Sequence, residues 1–144
     1  IGQRLVRRVA NRRDAYWSTP LETQMIKETV GHLLPKTKEE VANVSADLGY
    51  KDLPLAGQTA YTLVKGRDTP ATPHGYAGRA GIFEVMDVTE AIQNLIVKRA
   101  TSAEIQHKAI EQGMITMRQD GYLKALTGIT TLEEVNRVTS ADTA

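Results

Sequence analysis

The chain has 144 residues, 41% hydrophobic but only 5% aromatic, with a formal net charge of +1. That length allows one domain or two small ones with a largely aliphatic core, and near-neutrality gives no global drive toward nucleic acid or anionic lipid. It has no cysteine, which excludes disulfides and thiolate metal sites; no stretch is long and apolar enough to cross a membrane, and no signal peptide is visible.

The chain opens on Ile1-Gly2-Gln3 without an initiator methionine, the opening expected of a fragment of something longer. Gln3 to Val9 sets Leu5, Val6 and Val9 among arginines, which fits a strand or the end of a helix. Arg4, Arg7, Arg8, Arg12 and Arg13 form the one basic cluster. It reads either as a phosphate or nucleic-acid site or as a solvated, ion-paired face.

Thr19-Pro20-Leu21-Glu22 is a capping box with proline at the first helical position, predicting a helix to about His32. Leu21, Met25, Ile26, Thr29 and Val30 fall on one side of it. Thr37 to Glu40 is a second box, opening a helix with Val41, Val44 and Leu48 on one face and Gly49 as its stop. Asp52 to Gly57 reads as a connector, Thr59 to Lys65 as a short β-prone segment, and Gly66 to His74, with Pro70 and Pro73, as a loop.

Gly75-Tyr-Ala-Gly-Arg-Ala-Gly81 follows, and then the apolar, β-prone run Ile82 to Val88. The spacing predicts a glycine-jointed loop feeding a strand, with Arg79 at the joint. It is neither a Walker A loop nor a GxGxxG fingerprint. The rest is helical. Thr89 caps a helix carrying Ile92, Leu95 and Ile96. Thr101 to Glu104 is a third box, and that helix stops at Gly113. Ile115 to Thr127 reads as a helix ended by Gly128, with Gly121 and Ala125 spaced for close packing. Thr131 to Glu134 is a fourth box, placing Leu132, Val135 and Val138 inward. Ser140 to Ala144 reads as a frayed tail.

No catalytic constellation emerges. His32, His74 and His107 share no helix face. Glu133 and Glu134 sit at a helix start, where carboxylates favour the dipole. Asp120 and Glu84 show no acid-base partner in the sequence.

Three runs nevertheless resemble a family. IGQRLVRRV at Ile1, GYAGRAGIFEVMDV at Gly75, and GMITMRQDGYLKALTGITTLEEVNRVT from Gly113 to Thr139 are similar, in the same order, to motifs of the type II secretion and type IV pilus assembly ATPases. The resemblance implies an α+β, mostly α chain. A short antiparallel strand pair at the edge of a RecA-like sheet, from Gln3–Val9 and Gly81–Val88, would carry a small helical insert and a C-terminal helical cap. The implied divisions are 1–9 (RecA-like edge), 10–74 (small domain), 75–88 (glycine loop and strand), 89–139 (helical subdomain) and 140–144 (tail).

Most members of that family carry two CxxC pairs that bind zinc in the small domain. Here those positions would be Ala10 and Arg13, and Asp68 and Ala71. None can supply a thiolate, so no metal is expected. The insert is expected to hold itself by its two helices and the Thr59–Lys65 strand.

The family's phosphate-binding, magnesium-binding, aspartate and histidine motifs are not in this sequence, so the chain alone is expected not to hydrolyse ATP. No catalytic residue is expected. Arg79 is the one residue placed near nucleotide in the parent enzyme, with an ion pair to Glu84 as its structural alternative. The resemblance implies the non-catalytic C-terminal portion of a hexameric motor. ATP and Mg would be cofactors of the parent only. The partners would be a homo-hexamer and an inner-membrane platform protein, at the cytoplasmic face and without nucleic acid. The alternatives are a stand-alone adaptor module, or nucleic-acid binding through the arginines.

Overall fold

The computed structural model describes residues 1–139. In chain order the elements are β1 (Gly2–Val9), β2 (Arg13–Trp17), α1 (Pro20–Val30), a 3-10 turn (Lys38–Glu40) leading into α2 (Val41–Leu48), β3 (Thr62–Gly66), and a second 3-10 turn (Pro73–Gly75). Then come β4 (Tyr76–Glu84), α3 (Glu90–Val97), α4 (Ser102–Glu111), α5 (Met117–Leu126) and α6 (Leu132–Val138). This is the α+β, mostly helical class predicted. The strands form two antiparallel pairs, β1 with β4 and β2 with β3. The second pair is not evident in the sequence, because Arg13-Asp-Ala-Tyr-Trp17 is short and polar.

The glycine stretch is itself strand, not a loop ahead of one. β4 begins at Tyr76 and pairs with β1 from Gly2↔Glu84 to Arg7↔Arg79. After a register shift it resumes at Val9↔Tyr76, so Ala77 and Gly78 oppose Arg8 alone. Gly78 takes φ +77 at this bulge, where a side chain would be strained. The predicted strand residues Val85, Met86 and Val88 fall in a connector instead, at 58%, 36% and 50% exposure. In the observed register Gly2 lies opposite Glu84, and the pairing of β4 with β1 ends there. At the other end Gly66 and Gly75 meet back to back. A Cβ on Gly66 would lie 1.8 Å from the Gly75 carbonyl oxygen.

One core runs through the insert and the C-terminal helices. Ile26, Val30, Leu34, Leu53, Tyr61 and Leu63 are buried together with Tyr122, Leu123, Ala125, Leu132 and Val135. Helix α1 therefore packs chiefly on α5, not on α2. Leu21 is 67% exposed, because the inward arc of α1 is Thr23, Ile26 and Val30, aimed at the larger apolar surface of α5. The one buried residue of α2 is Ser45, whose hydroxyl oxygen accepts from the Leu53 N–H at 3.0 Å.

Reciprocal capping boxes form at Thr19 and Thr101 as predicted, and at Thr116 in addition. Each stabilises by about 1 kcal/mol. Thr89 and Thr131 accept from their helices without the return bond. The Thr37 box does not form. The Glu40 carboxylate accepts from the Lys36 N–H instead, at 3.1 Å, and Lys38–Glu40 winds as a 3-10 turn. Gly121 lets α6 approach α5: a Cβ there would lie 2.5 Å from Val135 Cγ1. Helices α3 and α4 pack chiefly on each other as a hairpin. Among the described residues no helix is long and apolar enough to cross a membrane. The tail assigned to 140–144 lies outside the described residues.

Candidate functional site

The strand pair is tied to the helical cap at several points, the most buried of them a carboxylate. Glu134, 1% exposed, accepts from the Arg7 backbone N–H at 2.9 Å, from Arg7 Nε at 3.0 Å and from Arg7 Nη2 at 2.6 Å. Arg137 donates to the same carboxylate from Nε and Nη2 at 3.1 and 3.0 Å. Burial pushes the Glu134 carboxyl up, but the hydrogen bonds from Arg7 and Arg137 outweigh it and hold the group at about 2. The Arg7 guanidinium lies 4.3 Å from the Tyr76 ring centroid, a cation–π contact. Arg7 carbonyl oxygen accepts from Thr130 Oγ1 at 2.9 Å, and Val9 N–H donates to Ile129 O at 2.9 Å. The outer edge of β1 is thereby closed by α6 and the turn before it. In sequence Glu134 reads only as a helix-start carboxylate. Its partner stands 127 positions away, and no local pattern reports such a contact.

Beside the clamp lies a cleft of about 660 Å³ between the β2–β3 pair and the start of α6, lined in part by Arg7, Tyr16, Lys65, His74, Tyr76 and Glu133. Tyr16 donates to Glu22 Oε2 at 3.0 Å. Burial, and then that carboxylate, push its phenol up to about 12. His74 adopts φ 60, and its N–H donates to Asp68 Oδ1 at 3.2 Å.

The positions matching the family's cysteines do not fit a zinc ion. Ala10 offers a methyl group. Arg13 fills the turn with its guanidinium, donating from Nε to Ala10 O at 2.9 Å, from Nη2 to Val9 O at 2.9 Å, and from Nη1 to Gly128 O. The two turns are joined directly by the Arg67 N–H donating to Arg12 O at 2.8 Å. Asp14 and Arg67 pair at 2.9 Å across β2 and β3. The Arg67 hydrogen bond and charge hold the Asp14 carboxyl below its usual range. Among the described residues no three His, Asp or Glu side chains gather in a metal-holding group.

Arg79, the predicted nucleotide contact, lies in the exposed part of β4 opposite Arg7. It forms no ion pair with Glu84, whose Oε1 instead accepts from the Met117 N–H at the start of α5, at 3.2 Å. Among the described residues the Arg79 side chain makes no hydrogen bond or ion pair. Asp120, partnerless in sequence, is a junction. It pairs with Lys124 at 2.7 Å and accepts from Tyr50 Oη at 2.7 Å and from the Phe83 N–H at 2.9 Å. Within the basic cluster Arg7 and Arg13 are spent on internal contacts, so the five arginines do not act as one free face.

The described residues thus form a strand pair clamped to a helical cap, with a small insert between the strands. Residues 1–137 match the model of the type II/IV secretion system protein family, and the chain belongs to that family. It is 49% identical over 115 residues, 80% of this chain, to the type IV pilus assembly ATPase PilB of Thermus thermophilus. It is 35% identical over 114 residues, 76% of this chain, to PilB of Myxococcus xanthus. It is 44% identical over 77 residues, 54% of this chain, to the type II secretion system protein E of Xanthomonas campestris. These matches cover 13%, 20% and 14% of the relatives' own lengths.

Proposed function

We propose that this chain is the non-catalytic C-terminal portion of a hexameric ATPase that powers type IV pilus assembly or type II protein secretion. ATP and magnesium bind elsewhere in the parent protein, since no GxxxxGKS/T run occurs in these 144 residues. The segment passes the motion of the nucleotide-driven domain to an inner-membrane platform protein, on the cytoplasmic side.

The observation that carries this reading is the Glu134 clamp. Movement of β1 must move Arg7, and Arg7 is fastened to α6 by three hydrogen bonds to one carboxylate. A displacement of the strand pair is thereby passed to the cap as a rigid-body push. Arg79, unpartnered among the described residues on the exposed part of β4, is free to stack on or hydrogen-bond to the nucleotide base. In the parent protein, Arg79→Ala is expected to weaken nucleotide binding by about tenfold, the loss of one charge-assisted contact, while leaving the melting temperature unchanged. Unchanged nucleotide affinity with a lowered melting temperature makes Arg79 structural.

A further inference from the structure

Two features at opposite ends of the α3–α4 hairpin have no partner among the described residues. At the tip, Ile96 is 50% and Val97 81% exposed, and exposed Lys98 and Arg99 follow. Arg99 adopts φ 59 and closes the helix through its N–H to Ile96 O at 3.0 Å, with Ala100 N–H to Leu95 O at 2.9 Å. Glycine is the usual residue at such a left-handed helix stop. A cation near a helix C-terminus suits the dipole, but that does not account for the bare Val97 beside it.

At the root of the hairpin is the complement. Phe83, Val85, Met114 and Ile115 help line a groove of about 320 Å³, which the paired Asp120 and Lys124 also border, with Asp47 at its margin. Val85 and Met114 continue into a recess of about 160 Å³ that includes Asp87. Neither Asp47 nor Asp87 has an ion-pair partner among the described residues.

We infer that the hairpin tip of one copy docks in the root groove of a second copy, Ile96 and Val97 entering the apolar floor while Lys98 and Arg99 meet Asp47 and Asp87. The match is in both shape and charge: an aliphatic knob followed by two cations, and a largely apolar groove where Lys124 is already paired with Asp120 while Asp47 and Asp87 have no ion-pair partner among the described residues. The tip cannot fill its own groove. Helix α3 is eight residues long, which holds tip and root roughly 12 Å apart at 1.5 Å per residue. Knob and groove are different surfaces of one chain, so the contact is heterologous. It runs head to tail and closes a ring when the rotation between copies allows. The inference deepens the ring reading by naming how neighbours touch, and its test does not depend on that reading.

The absence of cysteine makes the test clean. Val97→Cys and Val85→Cys variants of this chain, both at exposed positions, are mixed at high concentration under mild oxidation and the disulfide-linked species are resolved by mass. The expected result is a Val97→Cys/Val85→Cys heterodimer forming at least tenfold faster than a Val97→Cys/Ala103→Cys control at another exposed site. Lys98→Glu with Arg99→Glu on the knob chain abolishes this preference, and Asp47→Lys with Asp87→Lys on the groove chain restores it. Equal rates for groove and control, or a preference indifferent to both charge reversals, overturn the proposal. In the parent protein the same cysteine pair is read beside the mass of the assembly. A hexamer without the cross-link overturns this contact and leaves the ring reading intact. A cross-link without a hexamer supports the contact and overturns the ring reading.

Discussion

Arg7 and Glu134 stand 127 positions apart and are joined by three hydrogen bonds, the shortest 2.6 Å. One bond comes from the Arg7 backbone, so part of the link survives any change to the Arg7 side chain, whereas the carboxylate is needed for all of it. The Arg7 and Arg137 side chains are 44% and 56% exposed, while the Glu134 side chain is 1% exposed.

Acid should weaken the clamp in a defined window. The Glu134 carboxyl is held at about 2 in the fold, below its ordinary value of 4.5. Its contribution is therefore complete above about pH 4.5 and is lost as pH falls through the folded value. With solvent screening at the two arginines, this amounts to about 1–3 kcal/mol. Glu134→Gln is expected to cost about 2 kcal/mol at neutral pH and to flatten the stability–pH curve below pH 4.5. Denaturant melts from pH 2.5 to 7 check it. An unchanged acid slope in the variant removes Glu134 from the account.

Arg13 should hold the turn after β1 together through its three carbonyl contacts. Arg13→Ala is expected to lose about 1–3 kcal/mol. Arg13→Lys should recover little of that, because an ammonium lacks the planar fork that reaches three carbonyls. A strong chelator should leave the circular dichroism of the unsubstituted chain unchanged. Loss of structure on chelation, restored by zinc, contradicts this.

Close packing at Gly121 is expected to be intolerant of a single methyl. Gly121→Ala places a Cβ 2.5 Å from Val135 Cγ1, a clash worth about 1–3 kcal/mol of overpacking. Val135→Ala in the same chain should relieve part of it. Thermal melts of the two single variants and the double variant give the coupling, and strictly additive losses refute the contact.

Tyr61 gives a change of opposite sign. It is fully buried in the core, and its hydroxyl has no hydrogen-bond partner among the described residues. Tyr61→Phe should be neutral or stabilising by about 1 kcal/mol. A loss of more than that in chemical denaturation means the hydroxyl is satisfied in solution.

Local patterns carried the helices and little of their assembly. Thr19 and Thr101 announce helix starts because a capping box is written within four residues, and both form. Thr37 presents the same letters and fails, since the Glu40 carboxylate is drawn to the Lys36 N–H. Ile82 to Val88 has strand composition throughout, yet its pairing with β1 ends at Glu84. Strand extent is set by the partner, which local composition does not name. The same reason hides β2, whose polar residues read as strand only once β3 is beside them.

The candidate site was legible only in pieces. The three runs from Ile1, Gly75 and Gly113 carry the family, and residues 1–137 bear it out. Arg79 was placed at the glycine joint, and its surroundings hold no ion pair to Glu84. In sequence Glu134, Arg13 and Asp120 read as a dipole carboxylate, a cluster arginine and an unpartnered acid. Their functions are long-range contacts, fixed by the fold and invisible to spacing.

In the proposed function these residues couple a motor without containing its chemistry. The most direct measurement is magnesium-dependent ATP turnover by the purified 144-residue chain beside the parent protein at equal concentration. Turnover by the parent and none above background by the chain is expected. Hydrolysis that copurifies with the chain, or a parent protein that hydrolyses no ATP, contradicts it.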